Sequence, residues 1–151
     1  MNWDALFAAA NLVALIAWAG LIFLPRWPAL TAGVLYLGVM LLCGAYTVLL
    51  ALVLTGTLAT GGGGGGGADF TTIEGVQTIF ASEGGTTIGW IHYLAFDLFA
   101  GLWIARDADA KEFARIVQAP ILLATFLAGP LGQFAWLIVR ERRARASGRP
   151  R

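Results

Sequence analysis

The chain has 151 residues, of which 58% are hydrophobic and 13% are charged, and its mean hydropathy is +0.75. A soluble domain carries about 25% charged residues and a disordered chain is poor in apolar ones, so both classes are excluded. Ten Lys and Arg against nine Asp and Glu indicate no nucleic-acid partner, and the single cysteine excludes an internal disulfide and a cysteine-built metal site.

Four stretches with almost no charge follow one another along the chain, at residues 5–24, 30–58, 84–105 and 116–139. Each is long enough for a membrane-spanning helix, which needs about 20 apolar residues. The first lacks a basic leader and a small-residue cleavage site, so we interpret it as a retained helix and not as a signal peptide. The sequence therefore predicts an all-α membrane protein, a bundle of four transmembrane helices that forms a single integral-membrane domain over residues 1–151.

The connections between these spans differ in length. Pro25 and Pro28 predict a tight turn between the first two spans. Residues 59–83 form a predicted flexible loop between helices two and three, and it opens with seven glycines, 61–67, which we expect to act as a passive tether. Residues 72–81 are then typical of either a short amphipathic helix in the membrane interface or a loosely packed loop.

Basic residues determine the expected orientation. Four spans put both termini on one side, where the basic tail, residues 140–151, supplies six arginines against four Lys and Arg on the other side. The positive-inside rule then favours cytoplasmic termini by a small margin, which would also place the acidic 59–83 loop in the cytoplasm. The tail is typical of a topology anchor or of a contact with anionic lipid. The Ala-, Gly- and Arg-rich composition predicts a protein of the bacterial inner membrane.

The third span carries the polar groups that indicate function. At about 100° per residue, one helix face collects Trp90, Tyr93, Asp97, Gly101 and Ile104, and another collects His92, Phe96, Phe99 and Trp103. A charged residue at membrane depth is costly and is a functional candidate by default. A low dielectric favours the neutral carboxyl of Asp97, which can donate a proton. The alternative is a structural acid that is hydrogen-bonded to Tyr93 or to another helix.

Other polar residues are weaker candidates. His92 is the only histidine, so it is either an interfacial hydrogen-bonding residue or a proton-transfer group, and we predict no metal site and no cofactor. Asn11 in the first span and Gln133 in the fourth either contribute to the site or only bond across helices. Gly129-Pro130 predicts a kink in the fourth span, with an open carbonyl group and a crevice.

The third span also contains the most specific motif of the chain. Residues 90–107 read Trp-Ile-His-Tyr-Leu-Ala-Phe-Asp-Leu-Phe-Ala-Gly-Leu-Trp-Ile-Ala-Arg-Asp. This string resembles the signature of the plant neoxanthin synthase family, the abscisic acid deficient 4-like proteins. The resemblance extends to Asn11, Trp18 and Leu24-Pro25 in the first span and to Pro120, Thr125-Phe126 and Gly129-Pro130-Leu131-Gly132 in the fourth.

The resemblance implies a small four-helix membrane protein that acts on a carotenoid or another isoprenoid lipid. The plant members are linked to the conversion of violaxanthin to neoxanthin, in which an epoxide opens and an allene forms. Asp97 would protonate the epoxide oxygen, His92 or Tyr93 would relay a proton, and no redox cofactor would be required. The predicted substrate-binding residues are Trp90, Tyr93, Phe96, Gly101, Asn11 and Gln133.

Two other functions stay open on the sequence alone. One is a non-catalytic carotenoid-binding or assembly subunit, working as a homo-oligomer or within a larger membrane complex. The other is a small dimeric transporter in which Asp97 couples transport to protons. Small multidrug transporters carry their acid in the first helix, where this chain has none, which disfavours the transporter.

Overall fold

The protein is described here by a computed structural model that covers residues 1–61 and 69–147. Within these ranges every regular element is a helix, which confirms the predicted all-α class. The elements are α1 (Trp3–Phe23), α2 (Pro28–Gly33), a π-helical segment (Val34–Met40), α3 (Leu41–Leu54), α4 (Ile73–Phe80), α5 (Glu83–Ala110), α6 (Arg115–Leu127) and α7 (Gly129–Ser147). Most of the predicted glycine tether, residues 62–67, and the last residues of the basic tail, 148–151, lie outside the described residues.

Three helices are long and apolar enough to cross a membrane. They are α1, α5 and Pro28–Leu54, in which α2, the π-helical segment and α3 follow one another without a break. Side-chain caps fix two of the starts, since Asn2 accepts a hydrogen bond from the backbone of Ala5 and Ser82 accepts one from Gly85. The third helix is longer than the predicted span 84–105, because the helix continues through the charged turn up to Ala110.

Helix α5 is central and packs against α1, α3, α4, α6 and α7. Small residues let the backbones approach closely. Gly101 of α5 lies directly under the indole of Trp18 from α1, and Gly38 of the π-helical segment lies against Leu98 and Ala17. A Cβ atom at Gly101 would overlap the indole of Trp18, and one at Gly38 would displace the end of the Leu98 side chain, so both glycines bring α5 close to its partners.

The predicted fourth span, 116–139, does not form one helix. Helix α6 ends at Leu127, Ala128 leaves the helical conformation (φ −156°, ψ 85°), and α7 begins at the next residue. Helix α7 then folds back along α6, because Gly132 lies directly against the backbone of Thr125. Seven residues of a straight helix span about 10 Å, so this contact shows that the chain reverses direction at the place where the sequence predicts a kink.

Contacts at the far ends of the two helices show the same reversal. Near the start of α6, Gln118 Nε2 donates to Asp109 Oδ1 at 3.0 Å, at the C-terminal end of α5. Arg140 of α7 returns to that end, where its Nε lies 2.8 Å from Asp107 Oδ2. In a continuous helix, Arg115 and Arg140 would be about 38 Å apart. Helices α6 and α7 therefore form a hairpin that turns halfway along α5.

The bundle consequently has two different ends. At one end, which we call the Asn2 end, Trp3 packs against Gly84 at the start of α5. At the other, which we call the Arg26 end, Arg26 pairs with Asp109 at 2.9 Å and its side chain is only 3% exposed. Burial lowers the pKa of the Arg26 guanidinium, an effect that the hydrogen bond with Asp109 opposes. Because the hairpin returns, α7 runs towards the Arg26 end and not towards Asn2, while the side of the membrane on which each terminus lies stays a prediction.

Residues 72–81 were predicted to form either a short amphipathic helix or a loosely packed loop, and they contain a helix, α4. Thr72 caps it by accepting a hydrogen bond from Gly75 N at 3.1 Å. Asp69 accepts hydrogen bonds from the hydroxyl and backbone N–H of Thr71, which lower the pKa of its carboxyl. The apolar residues Ile73 and Phe80 are 74% and 51% exposed. Location of α4 in the membrane interface stays a prediction.

Candidate functional site

Asp97 lies halfway along α5 and faces the turn of the hairpin. Its carboxyl group lies directly against Gly129, where a Cβ atom would overlap the carboxyl carbon and both oxygens. Only glycine therefore lets the hairpin approach the acid this closely. Oδ2 of Asp97 is buried and has no hydrogen-bond partner among the described residues. Asp97 as a whole is half-buried, and its carboxyl lies against Gly129 and Tyr93 with one buried oxygen whose hydrogen-bonding capacity the described residues leave unused.

The start of α7 provides the electrostatic surroundings of this acid. Gly129 is the first residue of α7, and its backbone N–H is directed to the Asp97 carboxyl. The N-terminus of a helix carries unpaired N–H groups and a partial positive charge. The site can therefore stabilise the negative charge that appears when the carboxyl gives up a proton. The predicted kink at Gly129-Pro130 would have opened a carbonyl group here but would not have placed the start of a new helix beside the acid.

Three of the predicted residues extend the site from Asp97 towards α1. The hydroxyl of Tyr93, which lies beside Asp97, donates to the carbonyl of Leu127 at 3.5 Å. The Trp90 ring stacks on Tyr93 with ring centroids 5.0 Å apart, and its Nε1 donates to Asn11 Oδ1 at 3.1 Å. Three residues of the predicted α5 face, Trp90, Tyr93 and Asp97, therefore lie side by side. Asn11 of α1 continues this row, so aromatic rings lie next to the acid.

His92 and Phe96 lie elsewhere. The His92 ring is 4.6 Å from Phe96 and 5.2 Å from Tyr46 of α3, measured between ring centroids. Both His92 and Phe96 are exposed at the α3 side of α5. The two predicted catalytic residues, His92 and Asp97, therefore lie on different faces of α5, as their angular separation along the helix predicts. Their side chains do not reach the same atom of a bound molecule.

The remaining predicted residues have contrasting surroundings. Gly101 is buried under Trp18. It therefore serves the packing of α5 against α1, and the indole of Trp18 covers it. Gln133, one turn after Gly129 in α7, has a buried Oε1 that lacks a hydrogen-bond partner in the described ranges. No group of three or more His, Cys, Asp and Glu residues that could hold a metal ion occurs within residues 1–61 and 69–147.

Sequence reasoning missed the backbone part of the site. The carbonyl of Leu127 and the N–H of Gly129 flank the helix break and both point to side chains of α5. Trp18 also belongs to this region, since its ring packs edge-on against Phe126 with centroids 5.6 Å apart. The signal in the sequence was Gly129-Pro130, which indicated an open carbonyl but not a reversal of the chain.

A separate groove of about 370 Å³ lies between α1 and the first half of the helix Pro28–Leu54. Its lining is apolar and rich in small residues, including Ala17, Gly20, Gly33 and Gly38. The volume is near the lower end of ligand pockets, which enclose about 300–1,000 Å³. Asp97 and the aromatic row are not part of its lining.

Comparison with known proteins gives one match. A family model with the description ABA DEFICIENT 4-like matches residues 5–136. The matched range begins in α1 and ends in α7, so it includes the hairpin turn and every predicted site residue. No curated protein and no solved structure matches the chain.

Proposed function

The chain belongs to the ABA DEFICIENT 4-like family, and on that premise we propose that it modifies a carotenoid or another isoprenoid within the membrane. Family membership and three apolar helices indicate a carotenoid-related membrane protein. The proposed reaction is acid-assisted epoxide opening or isomerisation, with no redox cofactor. The observation that carries this proposal is the buried, unpartnered Oδ2 of Asp97 beside the start of α7.

The chemistry begins with Asp97 as a neutral acid. Its proton passes to the epoxide oxygen as the carbon–oxygen bond breaks, and the start of α7 stabilises the carboxylate that forms. The adjacent polyene carbon then loses a proton, and the electron pair of that carbon–hydrogen bond forms the second double bond of the allene. The carboxylate takes up this proton, directly or through Tyr93. Substrate and product are isomers, so protons and electrons balance.

The aromatic row supplies the binding surface in this proposal. The stacked rings of Phe7, Trp90 and Tyr93 form a row of aromatic surface next to the acid, which suits the rigid, apolar end of a polyene. Asn11 fixes the indole through the bond to its Nε1. His92 takes no part in proton transfer at this site because its ring lies on another face of α5.

Substitution of Asp97 by Asn tests the proposal. The amide keeps the size and the hydrogen-bond acceptor of the neutral acid but cannot donate a carboxyl proton. The purified protein in liposomes is incubated with an epoxycarotenoid, and pigments are separated by chromatography. We expect product from the wild type and at least a 100-fold lower rate for Asp97→Asn, since proton transfer contributes about 10²–10⁴-fold. Glu83→Gln, the same chemical change at an exposed position of α5, is the control and should retain activity. Full activity of Asp97→Asn would show that Asp97 is structural.

The second candidate is a non-catalytic carotenoid-binding or assembly subunit. The apolar groove along α1 favours it, because this groove is lined by small side chains and lies apart from Asp97. In a carotenoid-producing host, this function predicts that pigment copurifies equally with the wild type and Asp97→Asn and that neither protein converts it.

A further inference from the structure

The structure gathers the Lys and Arg residues at one end of the bundle, where four acids also lie, at positions 107, 109, 112 and 141. Among the described side chains, all basic groups lie at the Arg26 end. This end is formed by the connection after α1, the C-terminal end of α5 and the part of α7 around Arg140. Arg26 pairs with Asp109, Arg115 donates to the carbonyl of Leu24, and Arg140 pairs with Asp107. Lys111 also pairs with Asp107, so these contacts place the basic residues at one level of the bundle.

The five remaining arginines follow Arg140 in the sequence. Helix α7 runs from Gly129 beside Asp97 to Arg140 beside Asp107 and continues to Ser147. Each residue adds about 1.5 Å in that direction, so the backbone of residues 142–147 extends past the Arg26 end. Arg149 and Arg151 come later in the sequence and lie outside the described residues.

The Asn2 end has the opposite character. The sequence contains no Lys or Arg in residues 1–25 or 27–105. The acids of the Asn2 end are Asp4, Asp69, Glu74 and Glu83, which belong to the start of α1, the connection to α4, and the starts of α4 and α5. The hairpin produces this separation, because a fourth crossing would have carried the arginines of the tail to the acidic end.

We propose that the Arg26 end is the surface that meets the cytoplasmic leaflet, with its anionic headgroups, and that α6 and α7 form a re-entrant hairpin that enters and leaves on that side. The chain then crosses the membrane three times, with Asn2 and α4 outside and the end of α7 in the cytoplasm. Lys and Arg near the ends of spans set orientation, and they are attracted to the anionic surface of the cytoplasmic leaflet. Up to residue 147, eight Lys and Arg then lie at the Arg26 end and none at the Asn2 end, whereas a four-span arrangement divides the ten of the sequence into six and four.

Single cysteines can test both parts of the proposal. Cys43, the natural cysteine, is first replaced by Ala, and Thr57→Cys, Ala110→Cys and Ser147→Cys are then made separately. Thr57 follows α3 at the Asn2 end, Ala110 ends α5 at the Arg26 end, and Ser147 ends α7. Spheroplasts of a bacterial expression host are treated with a membrane-impermeant maleimide before and after permeabilisation, and labelling is quantified.

The expected pattern is labelling of Thr57→Cys in intact spheroplasts, and labelling of Ala110→Cys and Ser147→Cys only after permeabilisation. Four crossings would instead group Ser147 with Thr57, and that pairing would overturn the hairpin. Protection of Thr57→Cys with outside labelling of the other two would overturn the orientation. The readout needs no substrate, so it is independent of the proposed enzymatic function.

Discussion

The close contact between Gly132 and the backbone of Thr125 allows a test of the hairpin by the substitution Gly132→Ala, which adds one methyl group. A Cβ atom at position 132 would overlap the amide nitrogen, Cα and Oγ1 of Thr125, a residue with 0% exposure. Because the obstacle is backbone, the two helices must separate to admit Gly132→Ala. Overpacking costs about 1–3 kcal/mol, and we take the upper end. Ala gains about 1 kcal/mol over Gly in a helix, so we expect a net loss of about 2 kcal/mol.

The measurement is the thermal midpoint of the detergent-solubilised protein, followed by size-exclusion chromatography after heating. For a chain of this length, about 1 kcal/mol corresponds to roughly 2–4 °C, so Gly132→Ala should lower the midpoint by about 4–8 °C. Gly44→Ala is the matched control, since Gly44 is exposed on α3 and an added Cβ meets no described atom within 4 Å. That variant should be unchanged or more stable. If Gly132→Ala melted at or above Gly44→Ala, α7 would not fold back on α6.

Three further outcomes follow from the structure. Asp107→Asn weakens the ion pair with Arg140, and it should destabilise the protein by about 1–3 kcal/mol, less in high salt; equal melting of both proteins in low salt would contradict this closure of the hairpin. The Asp69 carboxyl should titrate below its usual value of 3.8 in an NMR titration, and Thr71→Val should bring it back up. Because this pKa is lowered by folding, the contribution is present above the ordinary value and is lost as the pH falls through the folded-state pKa. Replacing the tether 61–67 by three residues should barely change the melting temperature, since each doubling of a flexible loop costs only about 0.6 kcal/mol; loss of folding would refute a passive tether.

The sequence predicted those elements whose formation depends on local pattern. Apolar length identified the three helices that are long enough to span a membrane, and apolar residues at helical spacing indicated α4 as one of the two alternatives for residues 72–81. Helical spacing also predicted that Trp90, Tyr93 and Asp97 share a face and that His92 does not. These features follow from the chain's own periodicity, so no partner helix had to be known.

The hairpin could not be predicted in the same way. Residues 116–139 are as apolar as a spanning helix. On sequence alone, Pro130 is equally compatible with the start of a new helix and with a kink in one continuous helix. The reversal depends on distant contacts: Gly132 against Thr125, and Trp136 with Arg140 on the carboxylate of Asp107. The number and composition of the apolar stretches do not reveal such pairings between distant residues, so the sequence predicted four spans and not a hairpin.

The hairpin turn and the acid depend on each other physically. A helix break at mid-depth exposes backbone groups that lipid cannot satisfy, so such breaks persist only where protein surrounds them. Here the carbonyl of Leu127 accepts a bond from Tyr93, and the N–H of Gly129 is directed to Asp97. The polar residues of α5 therefore hold the turn in place as well as providing a reactive group.

Two substitutions at position 97 separate these roles. Asp97→Asn retains an oxygen that accepts from Gly129, so the thermal midpoint should stay close to that of the wild type while turnover is lost. Asp97→Leu leaves the N–H of Gly129 without an acceptor, which costs about 1–3 kcal/mol, and both stability and turnover should fall. The midpoint of each variant is measured with its pigment conversion. A Leu variant as stable as the Asn variant would mean that Asp97 does not support the turn, and the acid would then be retained for chemistry alone.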